Sequence, residues 1–209
     1  MDATRIELQQ KEDVLNKLES DLNIKESRLN KLNNDIESRE KMVADLQSML
    51  VQKDAAAEEL KVKVTKALLG MEDKGLTIEQ KNGKVYIGLE ANILFPSGST
   101  SIGTNGKKAL IDLAKAIEGQ SDLEIIVEGH TDTDKLRSSN HPKDNWELSV
   151  LRATAVIKIM TENSGLDPKI LSASGRGELH PVSDDKSKNR RIEIVLSPNL
   201  GELFDLIEK

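Results

Sequence analysis

Residues 1 to 69 contain neither proline nor glycine, and within them Leu8, Leu15, Leu22, Leu29, Ile36, Val43 and Leu50 recur every seven positions. A seven-residue apolar repeat kept up over six heptads predicts a long helix with one seam, the pattern of a coiled coil. A second row lies three residues further on and is apolar only at alternate members. Leu18, Leu32, Leu46 and Leu60 are interleaved with Lys11, Lys25, Arg39 and Lys53. Each of those cations must reach out of the seam along its methylene stem, which makes the seam weak. Such a helix is either a rod or a single helix folded back on a domain, and its largely polar circumference favours the rod. From Leu8 to Leu50 the stripe would extend roughly 63 Å at about 1.5 Å per residue. Weak homo-oligomerisation through residues 8–60 is the corresponding expectation.

Charge narrows the classes of function. Residues 1–60 hold 9 basic and 14 acidic groups, a balance of −5, against −6 for the whole chain. With about −1 left for the remainder, the balance argues against a sequence-independent nucleic-acid binder, which needs a basic face to release counterions, and against docking on anionic lipid. Cysteine is absent, so no disulfide informs on compartment. Nothing approaches the 18 or so consecutive apolar residues of a membrane span. The chain opens as if inside a helix, so any membrane attachment is expected through an anchor upstream of Met1.

Beyond the helix the punctuation changes. Gly70 follows "KVTKALL" as a helix stop. "LTIEQKNGKVYIGLE" then gives two alternating runs divided by Asn82-Gly83, a strong two-residue hairpin signal. Downstream, "GTNGKKALIDLAKAIEGQ" and "NWELSVLRATAVIKIMTENSG" have helical spacing, while "DLEIIVEGH", "KILSASGRG" and "NRRIEIVL" read as strands. Strands alternating with helices predict an α/β layer sandwich. The expected organisation is a stalk helix over 1–69, a linker and hairpin over 70–92, a compact domain over 93–198, and an amphipathic helix over 199–209. That last segment carries Leu200, Leu203, Phe204 and Ile207 on one face.

The stretch from Glu128 to Ala153, "EGHTDTDKLRSSNHPKDNWELSVLRA", concentrates the polar chemistry. His130, Asp132 and Asp134 alternate, but His141 and His180 lie in loops beside prolines and complete no ligand pair, so no metal is expected. Catalytic motifs are missing too: there is no cysteine nucleophile, nucleophile elbow, phosphate loop or zinc-hydrolase pair. Neither enzymatic activity nor a cofactor is expected. An opposite-charge pair remains. Asp132 follows a strand, and Arg152 lies on the next helix, with Asn145 placed to cap that helix. Together they could hold a small zwitterion, ammonium on Asp132 and carboxylate on Arg152. Equally, the two side chains could simply bridge each other.

At this point the residues resemble a family. "VEGHTD", "NWELSVLRATAV" and "NRRIEIVL" are similar to the motifs of the OmpA-like (OmpA/MotB C-terminal) peptidoglycan-binding domain, over roughly Ile93 to Leu196. The resemblance implies a βαβαββ core, here preceded by the long helix and the hairpin. It also implies non-covalent binding of peptidoglycan through the diaminopimelate of its stem peptide. By the family pattern Asp132 takes the ligand ammonium and Arg152 its carboxylate, with Asn145, Arg190, Asn189 and Thr131 around them. Two departures stand out. The loop from Asp132 to Leu148 is longer than the family's usual one, with Lys143 and Asp144 as spare polar groups. And Pro96 follows Phe95 at the end of the expected first strand, where the family often has an aspartate.

The stalk and hairpin resemble those of outer-membrane lipoproteins of this family, which implies a periplasmic domain tethered to the outer membrane. The longer loop also resembles the MotB-like branch, implying instead a stator component of an ion-driven motor in the inner membrane.

Overall fold

The structure, a computed structural model, describes residues 2–70, 75–96, 99–120, 123–136 and 141–198. The helix expected over 199–209 lies outside the described residues. The chain divides into two compact units, Met1–Met49 and Leu50–Lys209.

One helix, α1 (Asp2–Ala67), runs through all of the described first unit and opens the second. In the first unit the seam is bare: Leu15 is 58 % exposed and Leu29 59 %. In the second unit the apolar face of the helix is covered from Ala57 onward. Ala57, Leu60, Val64 and Leu68 are buried in a hydrophobic core with residues from the whole domain.

That core lies against a five-stranded sheet. The strands are β1 (Leu76–Lys81), β2 (Lys84–Glu90), β3 (Leu123–His130), β4 (Leu171–Gly177) and β5 (Arg191–Pro198), in the order β1-β2-β5-β3-β4. β3 and β4 are parallel and the other neighbours antiparallel. Asn82 and Gly83 both take positive φ, 54° and 69°, as the tight turn between β1 and β2 requires. Period-two alternation sends Val85, Ile87, Leu89, Ile125, Val127, Ile192, Ile194 and Leu196 to one face. There they meet α1, α3 (Thr104–Ile117) and α4 (Asn145–Glu162), through residues such as Leu110, Leu113, Val156 and Met160. The opposite face carries Glu128, His130, Arg176, Arg191 and Glu193. The result is a mixed α/β sheet with a long N-terminal helix.

Three details differ from the expectations. The hairpin expected ahead of the domain belongs to its sheet, because β2 pairs with β5 from Val85↔Leu196 to Glu90↔Arg191. The run ending at Phe95 is no strand: Ala91–Leu94 forms one helical turn, α2, with Ala91 and Leu94 buried. β2 supplies the strand that this run was expected to form. The polar stretch before Arg190 folds into a second short helix, α5 (Lys186–Asn189), whose N-cap Asp185 accepts from the Ser187 amide.

Candidate ligand-binding site

The end of β3, the start of α4 and the start of β5 meet at one rim. Close packing brings α4 there. Gly129 and Gly175 have no Cβ, so the first turns of α4 lie directly on the strands; a Cβ on Gly175 would meet Ser149 Oγ at 2.6 Å. Ser149 is fully buried, donates to the Trp146 carbonyl at 2.8 Å and accepts from the Gly177 amide at 3.2 Å. This seat fixes the azimuth of α4, and with it Arg152 one turn further on.

Asp132, 7 % exposed, takes Arg190 Nη1 on Oδ2 at 2.5 Å and the Asp134 amide on Oδ1 at 3.0 Å. It pairs with Arg190 rather than with Arg152, so of the two arrangements left open by the sequence the direct bridge is not the one formed. Arg152 is 6 % exposed; its Nε donates to the Ser99 carbonyl at 3.1 Å and its guanidinium lies 4.9 Å from the centre of the Phe95 ring. Burial lowers its pKa first, the neighbouring Arg190 charge adds to that, and Asp132 opposes both. An arginine stays charged through such a shift. Among the described residues its two terminal nitrogens have no hydrogen-bond partner, so a buried cation keeps its fork open. An isolated buried charge is costly, which makes such a fork receptive to an anion.

The other expected residues divide. Asn145 does not cap α4. Asp144 does, through Oδ1 and the Glu147 amide at 2.8 Å, because its carboxylate sits one position before the first helical residue. Asn145 instead reaches back, donating to the carbonyls of Asp132 and Asp134 at 3.2 and 3.1 Å, which pins the strand end. Asn189 spends its amide on the backbone of Val182 and Ser183 and so braces the turn before Arg190. Thr131 is 5 % exposed, and its Oγ1 has no hydrogen-bond partner among the described residues. Residues 141–144 of the long loop are tied to α4: Glu147 accepts from the Lys143 amide at 2.8 Å and pairs with His141. Lys143 and Asp144 thus serve the loop and the cap. Lys186 closes on Asp134 at 2.6 Å, at the solvent edge.

Behind the rim, on the open face of the sheet, lies a ladder of charge. His130 is buried, with Nε2 at 3.6 Å from Glu128 Oε2 and 3.9 Å from Glu193 Oε2. These are ion-pair distances, and neither ring nitrogen of His130 has a hydrogen-bond partner among the described residues. Arg176 grips both oxygens of Glu128, and Arg191 holds Glu193 at 2.6 Å. Glu128 falls from an ordinary 4.5 to about 2; His130 is the main cause, burial opposes it, and Arg176 reinforces it. Among the described residues this trio is the set whose donor atoms could gather round a metal. Each carboxylate is already neutralised by an arginine, and the charges balance without an ion.

Sequence reasoning missed Phe95, Ser99 and the Asp132–Arg190 pair. Ser99 lies 53 residues from Arg152, and Arg190 58 from Asp132. The Asn-Arg-Arg run was the only local sign of any of them.

This geometry can be set beside known proteins. The OmpA family matches residues 94–194, the segment that runs from the end of α2 into β5. Residues 94–194 form an OmpA-family domain. Motility protein B of Bacillus subtilis is 37 % identical over 123 residues, covering 54 % of this chain and 45 % of the relative. A peptidoglycan-associated lipoprotein of Buchnera aphidicola is 32 % identical over 108 residues, covering 49 % and 59 %. The crystal structure of the periplasmic domain of Helicobacter pylori MotB superposes with a TM-score of 0.60 at 26 % identity, covering 67 % of this chain and 90 % of that one. The chain spans about half the length of the curated relatives it matches. The OmpA-family domain therefore covers all of α3, β3, α4 and β4, with Asp132, Arg152 and Arg190 inside it.

Proposed function

We propose that the OmpA-family domain binds peptidoglycan without covalent chemistry, through the diaminopimelate of the stem peptide, and tethers a membrane anchor to the wall by way of α1. The reading rests on one observation: a buried carboxylate, Asp132, stands at one rim with a buried guanidinium, Arg152, whose fork is not spent on any of the described residues. A zwitterionic amino-acid centre has the complementary charges. Its ammonium joins Arg190 at Asp132, and its carboxylate takes the fork of Arg152. Because these groups are held by Asn145, Ser99 and Phe95 before any ligand arrives, little ordering is left for binding. The names of the relatives agree with a cell-envelope setting, and the periplasmic side of the outer membrane is the proposed location.

Co-sedimentation with purified diaminopimelate-type sacculi tests this. Wild-type protein should pellet with the wall, and Asp132→Ala and Arg152→Ala should stay in the supernatant while remaining folded. Equal binding by all three would remove the assignment.

A second reading keeps the domain and moves the anchor. The identity to Motility protein B favours a stator component of an inner-membrane motor. Mass analysis of the N-terminus of the protein isolated from its native envelope separates the two. A lipidated cysteine fits the outer-membrane tether; an apolar span bearing a carboxylate fits the stator.

A further inference from the structure

We infer that residues 199–209, which lie outside the described residues, dock as a helix on the open face of this chain's own sheet, across Tyr86, Val195 and Ile126. The inference is independent of what the OmpA-family domain binds. It rests on an apolar row buried outside the core and on where β5 delivers the chain.

The open face changes character away from the rim. Val195 pairs with Tyr86 on one side and with Ile126 on the other, so the three form a row across β2, β5 and β3. Alternation sets this row on the side opposite Ile87, Ile125 and Ile194. Glu193 and Glu128 stand on the same face, two residues nearer the rim. Val195 is 6 % exposed and Ser197, two residues on, 5 %. Yet Val195 stands outside the hydrophobic core that holds its neighbours Ile194 and Leu196. Side chains stand roughly perpendicular to a sheet, so Tyr86 and Ile126 flank Val195 without capping it. α1, α3 and α4 pack on the other face. The loop before α5 meets the open face at Arg191, through the His180 carbonyl at 3.2 Å, four residues nearer the rim than Val195. Of the stretches not described, 199–209 is the longest and the one joined to β5.

The segment has the properties such a cover needs. Asn199 followed three residues later by Glu202 is a helix-start pattern. Leu200, Leu203, Phe204 and Ile207 then share one face, with Glu202, Asp205 and Lys209 opposite. So short a helix is marginal in water by itself and forms where an apolar surface receives it. At about 1.5 Å per residue its stripe from Leu200 to Ile207 is roughly 10 Å long. The row from Tyr86 through Val195 to Ile126 spans two strand spacings, again roughly 10 Å. Proximity selects the occupant. Asn199 alone separates Pro198 from the helix, so the segment faces its own sheet at an effective concentration on the order of millimolar. A second copy present at micromolar concentration competes poorly with that.

Hydrogen exchange on the full chain should find the amides of residues 203–207 slowed about tenfold or more against unstructured peptide rates, and Phe204→Asp should abolish the slowing. The same variant should raise the binding of an apolar dye such as ANS, because it uncovers the row. Asp205→Lys, on the polar face, should change neither readout. The chain has no cysteine, so the pair Ile126→Cys/Phe204→Cys reports the contact directly. A short bismaleimide should join the two thiols within one chain and leave a product of monomer mass. Unprotected exchange at 203–207 in the wild type, or dye binding indifferent to Phe204→Asp, would overturn the inference. So would a cross-link that forms only between chains when the two single-cysteine variants are mixed, the mark of a second copy on this face.

Discussion

Gly129 of β3 and Ser149 of α4 touch backbone to backbone: a methyl group on Gly129 would overlap the Ser149 carbonyl oxygen and come within 2.8 Å of its carbonyl carbon. Neither partner is a side chain that can swing away. Gly129→Ala is therefore expected to push α4 off the sheet and to cost about 1–3 kcal/mol, the usual range for overpacking. Denaturant melts read that loss. Arg152 rides on α4, so wall binding should fall as well under conditions where the variant is still folded.

Arg152→Lys tests whether the fork matters or only the charge. A lysine keeps the cation but cannot hold the Ser99 carbonyl and a ligand carboxylate in one plane, nor lie flat over Phe95. We expect sacculus binding to drop nearly as far as with alanine. Retention of full binding would show that a point charge suffices.

Glu128 gives a pH signature. The unfolded carboxyl takes up a proton near 4.5, whereas the folded one holds out to about 2. Between those values acid protonates the unfolded chain preferentially and favours unfolding. The stabilisation is thus complete above about pH 4.5 and is lost as the pH falls toward 2. Glu128→Gln should flatten that part of the stability profile. Urea melts at stepped pH show whether it does.

Leu60→Ala and Leu69→Ala form a pair. Leu60 is 5 % exposed and Leu69 71 %. The first should cost about 2–5 kcal/mol, as buried leucine truncations do, and the second little. Equal effects in thermal melts would mean that the end of α1 is not part of the domain core.

What could be read from the chain depended on how local its cause was. Asn82-Gly83 announced its turn because the required positive φ is a property of those two residues. The long helix was legible for the same reason: nothing in it interrupts a helix. Asp132 and Arg152 were legible as a pair of opposite charge, yet their partners were not. A guanidinium 58 positions away reaches Asp132 only after β5 has paired with β3 beside it. Glu193 stands opposite Glu128 for the same reason, which no spacing rule reveals. The three apolar residues Ile93, Leu94 and Phe95 suit a strand or a helical turn equally, and packing of Ala91 and Leu94 decided for the turn. Asp144 and Asn145 are both good caps, and only the chain direction at the helix start chose between them.

The burial of Leu60, Val64 and Leu68 among residues of the sheet bears on how this module can be moved between proteins. A fragment cut at Ile93 would leave behind β1, β2 and the closing turns of α1, and would open Ile192, Ile194 and Leu196 of β5 to water. The smallest transplantable cassette begins near Leu50. Any fusion or chimera must therefore carry the end of its own stalk with it, as a knife must carry its tang.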